Sequence, residues 1–204
     1  DVVREISNVI VDGYTPVGMD LVVTDGESGN GGTTDGGVES ISILYASSSR
    51  VSFNRWIIHE FTDLSKLNNE MSAFLLDGWI PMDIAKTETG LTALFVKGEE
   101  EHDIINWRIH EVEAADLNAA IEILEDYRSD GYLPYGITLD RQDDEFWFLM
   151  LKHDRPTDTA PARFALNGFP NAEVEESITN DIKSGLLPWG LARGAEATFV
   201  VYLF

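Results

Sequence analysis

The segment Gly131-Tyr132-Leu133-Pro134-Tyr135-Gly136 recurs in variant form three more times along this 204-residue chain. The other copies read GYTPVG, GWIPMD and GLLPWG, at residues 13–18, 78–83 and 185–190. Recurrence of a short pattern at near-regular spacing is typical of a repeat architecture. The sequence therefore predicts four copies of one unit, of which the first is incomplete. We place them at residues 1–50, 51–100, 101–155 and 156–204.

The third copy shows the predicted unit most clearly. Apolar and polar residues alternate over residues 105–111, which indicates a strand. Apolar residues then recur at the spacing of one helical face: Leu117, Ala120, Ile121, Leu124 and Tyr127. Asp116 is placed to cap this helix, and Gly131 to end it in a left-handed conformation. Residues 135–139 and 145–151 form a hairpin, so the unit is β-α-β-β.

The other copies fit the same unit. The second predicts a strand over 51–61, a helix over 67–76, and strands from Pro81 and over 91–96. The fourth predicts a strand over 163–166, a helix over 173–183 and a hairpin of 189–193 with 197–204. The first begins inside its helix, lacks the opening strand and has a hairpin of 17–23 with 41–45. A sheet that lacks a strand leaves an unpaired edge, which can recruit a partner.

The last strands of the units are apolar on both faces. Phe146, Phe148 and Met150 alternate with Trp147, Leu149 and Leu151, and residues 199–204 are similar. Such strands need cover on both sides. We therefore predict an α+β fold of four tandem repeats, with antiparallel sheets packed face to face and helices outside.

The repeated signature resembles two families of small β-α-β-β domains of unknown function, DUF1737 and, more loosely, DUF4177. The resemblance rests mainly on residues 78–81 and 131–136. The chain departs from the pattern at Leu186, where an aromatic residue is expected, and at Asp83, where a second glycine is expected. The resemblance implies a fold and no activity.

Composition excludes several classes of function. Asp and Glu number 36 against 14 Lys and Arg, which gives a net charge of −22. Such a surface repels phosphate backbones and anionic membranes, so we expect no nucleic-acid partner. Salt adaptation, a solubilising surface and mimicry of nucleic-acid charge all fit this composition, and we rank mimicry last. The chain has no cysteine, which excludes disulfides and thiolate sites.

The apolar runs are also too short to span a bilayer, so we expect no membrane insertion. The chain begins at Asp1 rather than Met. Cleavage of an export signal and trimming of the chain are both compatible with that start.

Two equivalent strands carry the pattern Trp-x-Ile-His-Glu, and their aromatic and histidine residues are candidate ligand-binding residues: Trp56, His59, Trp107 and His110. Adjacent strand residues point to opposite faces, so each His-Glu pair is not a same-face dyad. Trp56, Ile58, Trp107 and Ile109 then define the expected core face, with both histidines on the other. Pairing of the two repeats would bring the histidines into a pH-sensitive or metal-binding contact. Ordinary repeat similarity is the interpretation we favour.

The turn aromatics are further candidates for ligand binding in clefts between repeats: Tyr14, Trp79, Tyr132 and Trp189. Packing against helix ends or the sheet is the alternative. The glycine-rich segment 25–37 offers calcium ligands in Asp25, Glu27 and Asp35, without EF-hand spacing. We interpret it as a hairpin loop.

No sequence motif for a nucleophile, a dinucleotide or a zinc protease occurs, and we expect no cofactor. The sequence favours a non-enzymatic structural or protein-interaction module that self-assembles or docks through strand edges and apolar sheet faces. The alternative is a small-molecule binding or sequestering protein with a pocket between repeats.

Overall fold

A computed structural model describes residues 14–24, 38–47, 53–87, 90–98, 102–114, 116–140, 143–154 and 163–204. These residues form an α+β fold with eleven strands and three helices. In chain order the elements are β1 (Tyr14–Thr24), β2 (Val38–Ser47), β3 (Phe53–Phe61), α1 (Leu64–Leu76), β4 (Ile80–Thr87), β5 (Gly90–Gly98), β6 (Ile104–Glu113), α2 (Leu117–Ser129), β7 (Tyr132–Asp140), β8 (Glu145–His153), β9 (Phe164–Pro170), α3 (Val174–Lys183), β10 (Leu187–Arg193) and β11 (Ala197–Leu203).

The strands form four antiparallel sheets. Three of them have three strands in the same spatial order, β3-β5-β4, β6-β8-β7 and β9-β11-β10. In each, the last strand of the segment lies between the other two. The fourth sheet is the hairpin β1-β2. The helix predicted before Gly13 and the loop at 25–37 lie outside the described residues.

Capping residues set the helix ends. Asp63 and Asp116 accept hydrogen bonds from the N–H groups of Lys66 (2.8 Å) and Ala119 (3.0 Å). The predicted cap at Asp116 is confirmed, whereas α1 begins at Leu64 rather than at Leu67 because Asp63 caps it. Each helix is followed by a glycine with positive φ, as predicted for Gly131: Gly78 (82°), Gly131 (85°) and Gly185 (95°).

Strand β9 is longer than the sequence predicts. Residues 167–170 continue the strand beyond Leu166 and pair with residues 197–200 of β11. Gly168 and Pro170 are residue types that often interrupt a strand. Both are tolerated because β9 pairs with only one other described strand, so not every N–H of β9 is needed for pairing.

The repeated proline segments form β-bulges. The pairing register shifts between Pro16 and Gly18, Pro81 and Asp83, Pro134 and Gly136, and Pro188 and Gly190. The residue between each pair is the extra, bulged one. These bulges lie in β1, β4, β7 and β10, which we call the inner strands. The inner strands pack against one another in a closed ring, β1 on β4, β4 on β7, β7 on β10 and β10 on β1.

The central strand β5 is covered on both faces. On the helix side of β5, Phe95 stacks on Phe74 of α1 with ring centroids 4.4 Å apart. On the other side, Leu94 and Val96 are fully buried in one cluster with Val17 and Met19 of β1. Burial of such a side chain stabilises the fold by about 1.5–3 kcal/mol. The doubly apolar strand β11 is buried within the chain as well, from Val200 to Leu203.

Candidate functional site

A groove of about 710 Å³ lies between the end of α1 and the outer edge of β6. Its walls come from two consecutive segments of the chain, since the turn after α1 faces the first strand of the next sheet. The lining residues are Ser72, Leu75–Gly78, Lys97, Gly98, His102 and Ile104–Trp107. Strand β6 pairs only with β8 among the described residues, so its other edge borders this groove.

The two walls present exposed apolar side chains. Leu76, the last residue of α1, is 90% exposed, and Ile105 of β6 is 57% exposed. Gly78 permits the chain reversal that leaves Leu76 at the helix end, because its φ of 82° is accessible to glycine. The groove therefore combines apolar contact surface with a strand edge that has no partner in the part of the chain that the structure describes.

His102 joins the two walls. Its Nε2 lies 2.9 Å from the carbonyl oxygen of Leu75, and its Nδ1 accepts the N–H of Ile104 at 3.2 Å. Since a carbonyl accepts and an N–H donates, these contacts require the tautomer that carries its proton on Nε2. His102 thereby fixes the position of β6 relative to the end of α1.

Two polar side chains of the groove, Lys97 and Asn106, already have partners. Lys97 donates to the carbonyl oxygen of Asp77, and its Nζ lies 3.4 Å from the Asp77 carboxylate. Asn106 donates to the hydroxyl of Tyr132 (3.0 Å) and accepts from the N–H of Trp107 (2.8 Å). A ligand gains more here from apolar contact than from these polar groups, because new hydrogen bonds would replace existing ones.

The two histidines of the repeated strand pattern each contact their own helix. His59 Nε2 lies 3.3 Å from Glu70 Oε2 of α1, so its acidic neighbour is Glu70 rather than Glu60. His110 Nδ1 lies 3.1 Å from the Tyr127 hydroxyl of α2. Burial lowers the pKa of His110. These partners lie on two different helices, so the structure does not bring the two histidines to a shared site.

The expected core-face residues Trp56, Ile58, Trp107 and Ile109 all pack against core clusters, and the opposite face of β3 is covered as well. Trp56 and Ile58 pack on the cluster that contains Leu94, whereas Ile57 belongs to the helix-side core. His59 shares that helix side, with its ring 4.7 Å from the ring of Phe61. The histidines are therefore part of a packed face and not a free one.

The turn aromatics have separate environments. Trp79 donates from Nε1 to the Asp77 carboxylate (2.9 Å), and Tyr132 is buried under two cations. Trp189 occupies the bulge of β10 and meets Tyr135 edge to face at 5.6 Å. Tyr14 begins β1. Of the eight candidate residues, Trp107 lines the groove. The ring of Trp79 lies next to it, with its centroid 5.6 Å from the Nζ of the lining residue Lys97.

Sequence reasoning missed a hydrogen-bonded chain of three titratable residues. The Tyr135 hydroxyl lies 2.8 Å from His153 Nε2, and His153 Nδ1 lies 2.7 Å from Asp103 Oδ1. Burial raises the pKa of Tyr135, which keeps its phenol protonated. These two hydrogen bonds connect β7 and β8 to the segment before β6. Its residues lie far apart in sequence, and no local pattern could have revealed it.

No protein-family model matches this sequence, and no curated protein matches it either. Within the described residues no group of three or more His, Asp or Glu side chains could hold a metal ion. The calcium candidates Asp25, Glu27 and Asp35 lie outside those residues. None of the helices in the described ranges is long and apolar enough to cross a membrane.

Proposed function

We propose that this protein is a non-enzymatic structural or protein-interaction module that binds an extended segment of a partner, or of a second copy, at its outer strand edges. One observation carries the proposal. Strand β6 has one edge that pairs with no other described strand, and beside it lies a 710 Å³ groove with the exposed side chains Leu76 and Ile105. An added strand gains affinity from backbone hydrogen bonds and specificity from alternate side chains in such a groove.

The proposal places the contact at strand edges rather than at sheet faces. Both faces of the central strands are used inside the chain, as the buried residues Leu94, Phe95 and Val201 illustrate. The outer strands β3, β6 and β9 pair on one side only among the described residues. Edges of this kind are available to another chain unless they are covered.

We further propose that the fold consists of four tandem β-α-β-β repeats, the first lacking its opening strand. Three kinds of observation support this: the common sheet order, the bulge at the same place in each inner strand and the glycine with positive φ after each described helix. The similarity to DUF1737 and DUF4177 remains a proposal that rests on the Gly-aromatic-x-Pro motif.

Charge substitutions at the groove test the interaction. A random peptide library is selected against the wild-type protein, and self-association is followed by light scattering after size-exclusion chromatography. Leu76→Asp and Ile105→Asp should each weaken binding by about 10- to 150-fold, since each removes about 1.5–3 kcal/mol of apolar burial. Ile182→Asp is the matched control, because Ile182 is also exposed (46%) but lies on α3.

The outcomes are distinct. Loss of binding or of self-association in the groove variants, with retention in Ile182→Asp, supports the proposal. A library that yields no binder together with a monomer at all concentrations would overturn it. Binding that all three variants retain would also overturn the assignment to this groove.

Small-molecule binding is the second candidate, favoured by the groove volume. A volume of 710 Å³ falls within the range of about 300–1,000 Å³ that is usual for ligand pockets. Native mass spectrometry of the purified protein tests it. A bound small molecule that Trp107→Ala releases and Ile182→Asp retains would favour this function over partner docking.

A further inference from the structure

The four inner strands converge on one buried carboxylate. Asp83 of β4 is fully buried, at the place where β1, β4, β7 and β10 meet. Asp83 is the residue directly after the bulge of β4. Gly18, Gly136 and Gly190 hold the same position in β1, β7 and β10. The departure from the repeated motif at Asp83 therefore lies at the centre of the molecule.

Backbone N–H groups of the inner strands converge on this carboxylate. Met19 donates to Oδ2 at 2.7 Å, and Ile84 and Ile137 donate to Oδ1 at 2.8 and 3.0 Å. The N–H of Leu191 also interacts with the carboxylate. Each donor is the residue directly after the glycine or Asp83 of its own strand. The carboxylate thus interacts with the N–H at the same position of every inner strand, and three of these contacts are hydrogen bonds of 2.7–3.0 Å.

This arrangement has the properties of an anion site. Converging backbone N–H groups bind anions, and a carboxylate offers about four lone-pair positions for donors. A proton on Asp83 would compete with these N–H donors for the lone pairs of the carboxyl oxygens. Burial raises the pKa of Asp83, and the four N–H donors oppose that rise.

The centre has room for only one side chain. A β-carbon on Gly136 would lie 2.3 Å from Asp83 Oδ1, and one on Gly190 would lie 3.1 Å from the Cα of Gly136. Glycine at these two positions lets the strands approach. Without the carboxylate, the buried N–H groups of Met19, Ile84 and Ile137 would lose their acceptor, which is costly.

We propose that the junction of the four inner strands is an anion-binding site that the chain fills with its own Asp83 carboxylate. Replacement of Asp83 by glycine, the residue at the other three positions, converts it into a site for a small free anion such as formate or chloride. The inference is independent of the groove beside β6.

The test compares Asp83→Gly with the wild-type protein in thermal unfolding. Sodium formate, acetate or chloride is titrated against sodium gluconate at equal ionic strength, because gluconate is too large for the site. At about a hundredfold excess over Kd, formate should raise the Tm of the variant by about 5–10 °C. The wild-type protein and Asp83→Asn should show no such difference, since both keep a side chain in the site.

A folded Asp83→Gly variant whose Tm does not depend on the anion overturns the proposal. If that variant does not fold in any salt, the ionisation state of Asp83 in the wild-type protein is measured instead. The ¹³C carboxyl resonance of Asp83 at neutral pH should then have the shift of an ionised carboxylate. A protonated carboxyl would refute the anion site.

Discussion

Gly136→Ala is the most discriminating single substitution in the convergence of the inner strands. Gly136 is not among the described glycines with positive φ, so alanine meets no backbone strain there. At such a position Gly→Ala usually stabilises a protein by about 0.4–1 kcal/mol through the unfolded state. Here the new methyl would lie 2.3 Å from Asp83 Oδ1 and 2.8 Å from Asp83 Cα.

Because of those short distances, we expect Gly136→Ala to lower the free energy of unfolding rather than to raise it. Contacts under 3.0 Å are essentially never seen for real β-carbons, so the strands β4 and β7 must separate. Overpacking of a buried site costs about 1–3 kcal/mol. We expect the midpoint of urea unfolding to fall by about 1 M, with an unchanged m-value.

A double-mutant cycle shows whether Asp83 is the source of the cost. In the Asp83→Gly background the contact with Oδ1 is gone, although the contact with Cα remains, so Gly136→Ala should cost less than in the wild-type background. Gly185→Ala is the control, because its methyl would meet nothing within 4 Å. Its cost comes from a φ of 95° and should be the same in both backgrounds. A urea midpoint of Gly136→Ala equal to or higher than that of the wild-type protein would refute the reasoning.

Three further predictions concern single interactions. Asp116→Ala should lower the free energy of unfolding by about 1 kcal/mol, measured in urea, because α2 loses its capping hydrogen bond. Tyr135→Phe should cost about 1 kcal/mol in the same assay by leaving His153 Nε2 without this partner, and a neutral result would show that the bond is not formed. His110 has a lowered pKa in the folded state, so its contribution to stability is present above the unfolded value of about 6.5 and is lost as pH falls through the folded pKa. The fall in Tm on acidification below pH 6.5 should therefore be smaller in His110→Asn, and an identical pH profile would contradict this.

Local sequence patterns predict the elements well. The helical spacing from Leu117 to Tyr127, the cap at Asp116 and the left-handed Gly131 all depend on residues close in sequence. The same is true of the α+β class, which follows from alternating strands and amphipathic helices. Such features are decided by interactions within a few residues.

Features that depend on distant residues could not be predicted in this way. Asp83 is visible in the sequence as a departure from a repeated motif, but its role depends on N–H groups of three other strands. The partners of His59 and His110 depend on how each helix lies over its sheet. The groove beside β6 likewise requires the relative placement of two consecutive segments.

Hydrogen exchange of four backbone amides tests the central claim most directly. If the inner strands converge on Asp83, the amides of Met19, Ile84, Ile137 and Leu191 should exchange slowly in the wild-type protein. All four should exchange faster in Asp83→Asn, as measured residue by residue by NMR. Acceleration confined to Ile84, the chain neighbour of Asp83, would contradict the convergence of the four strands.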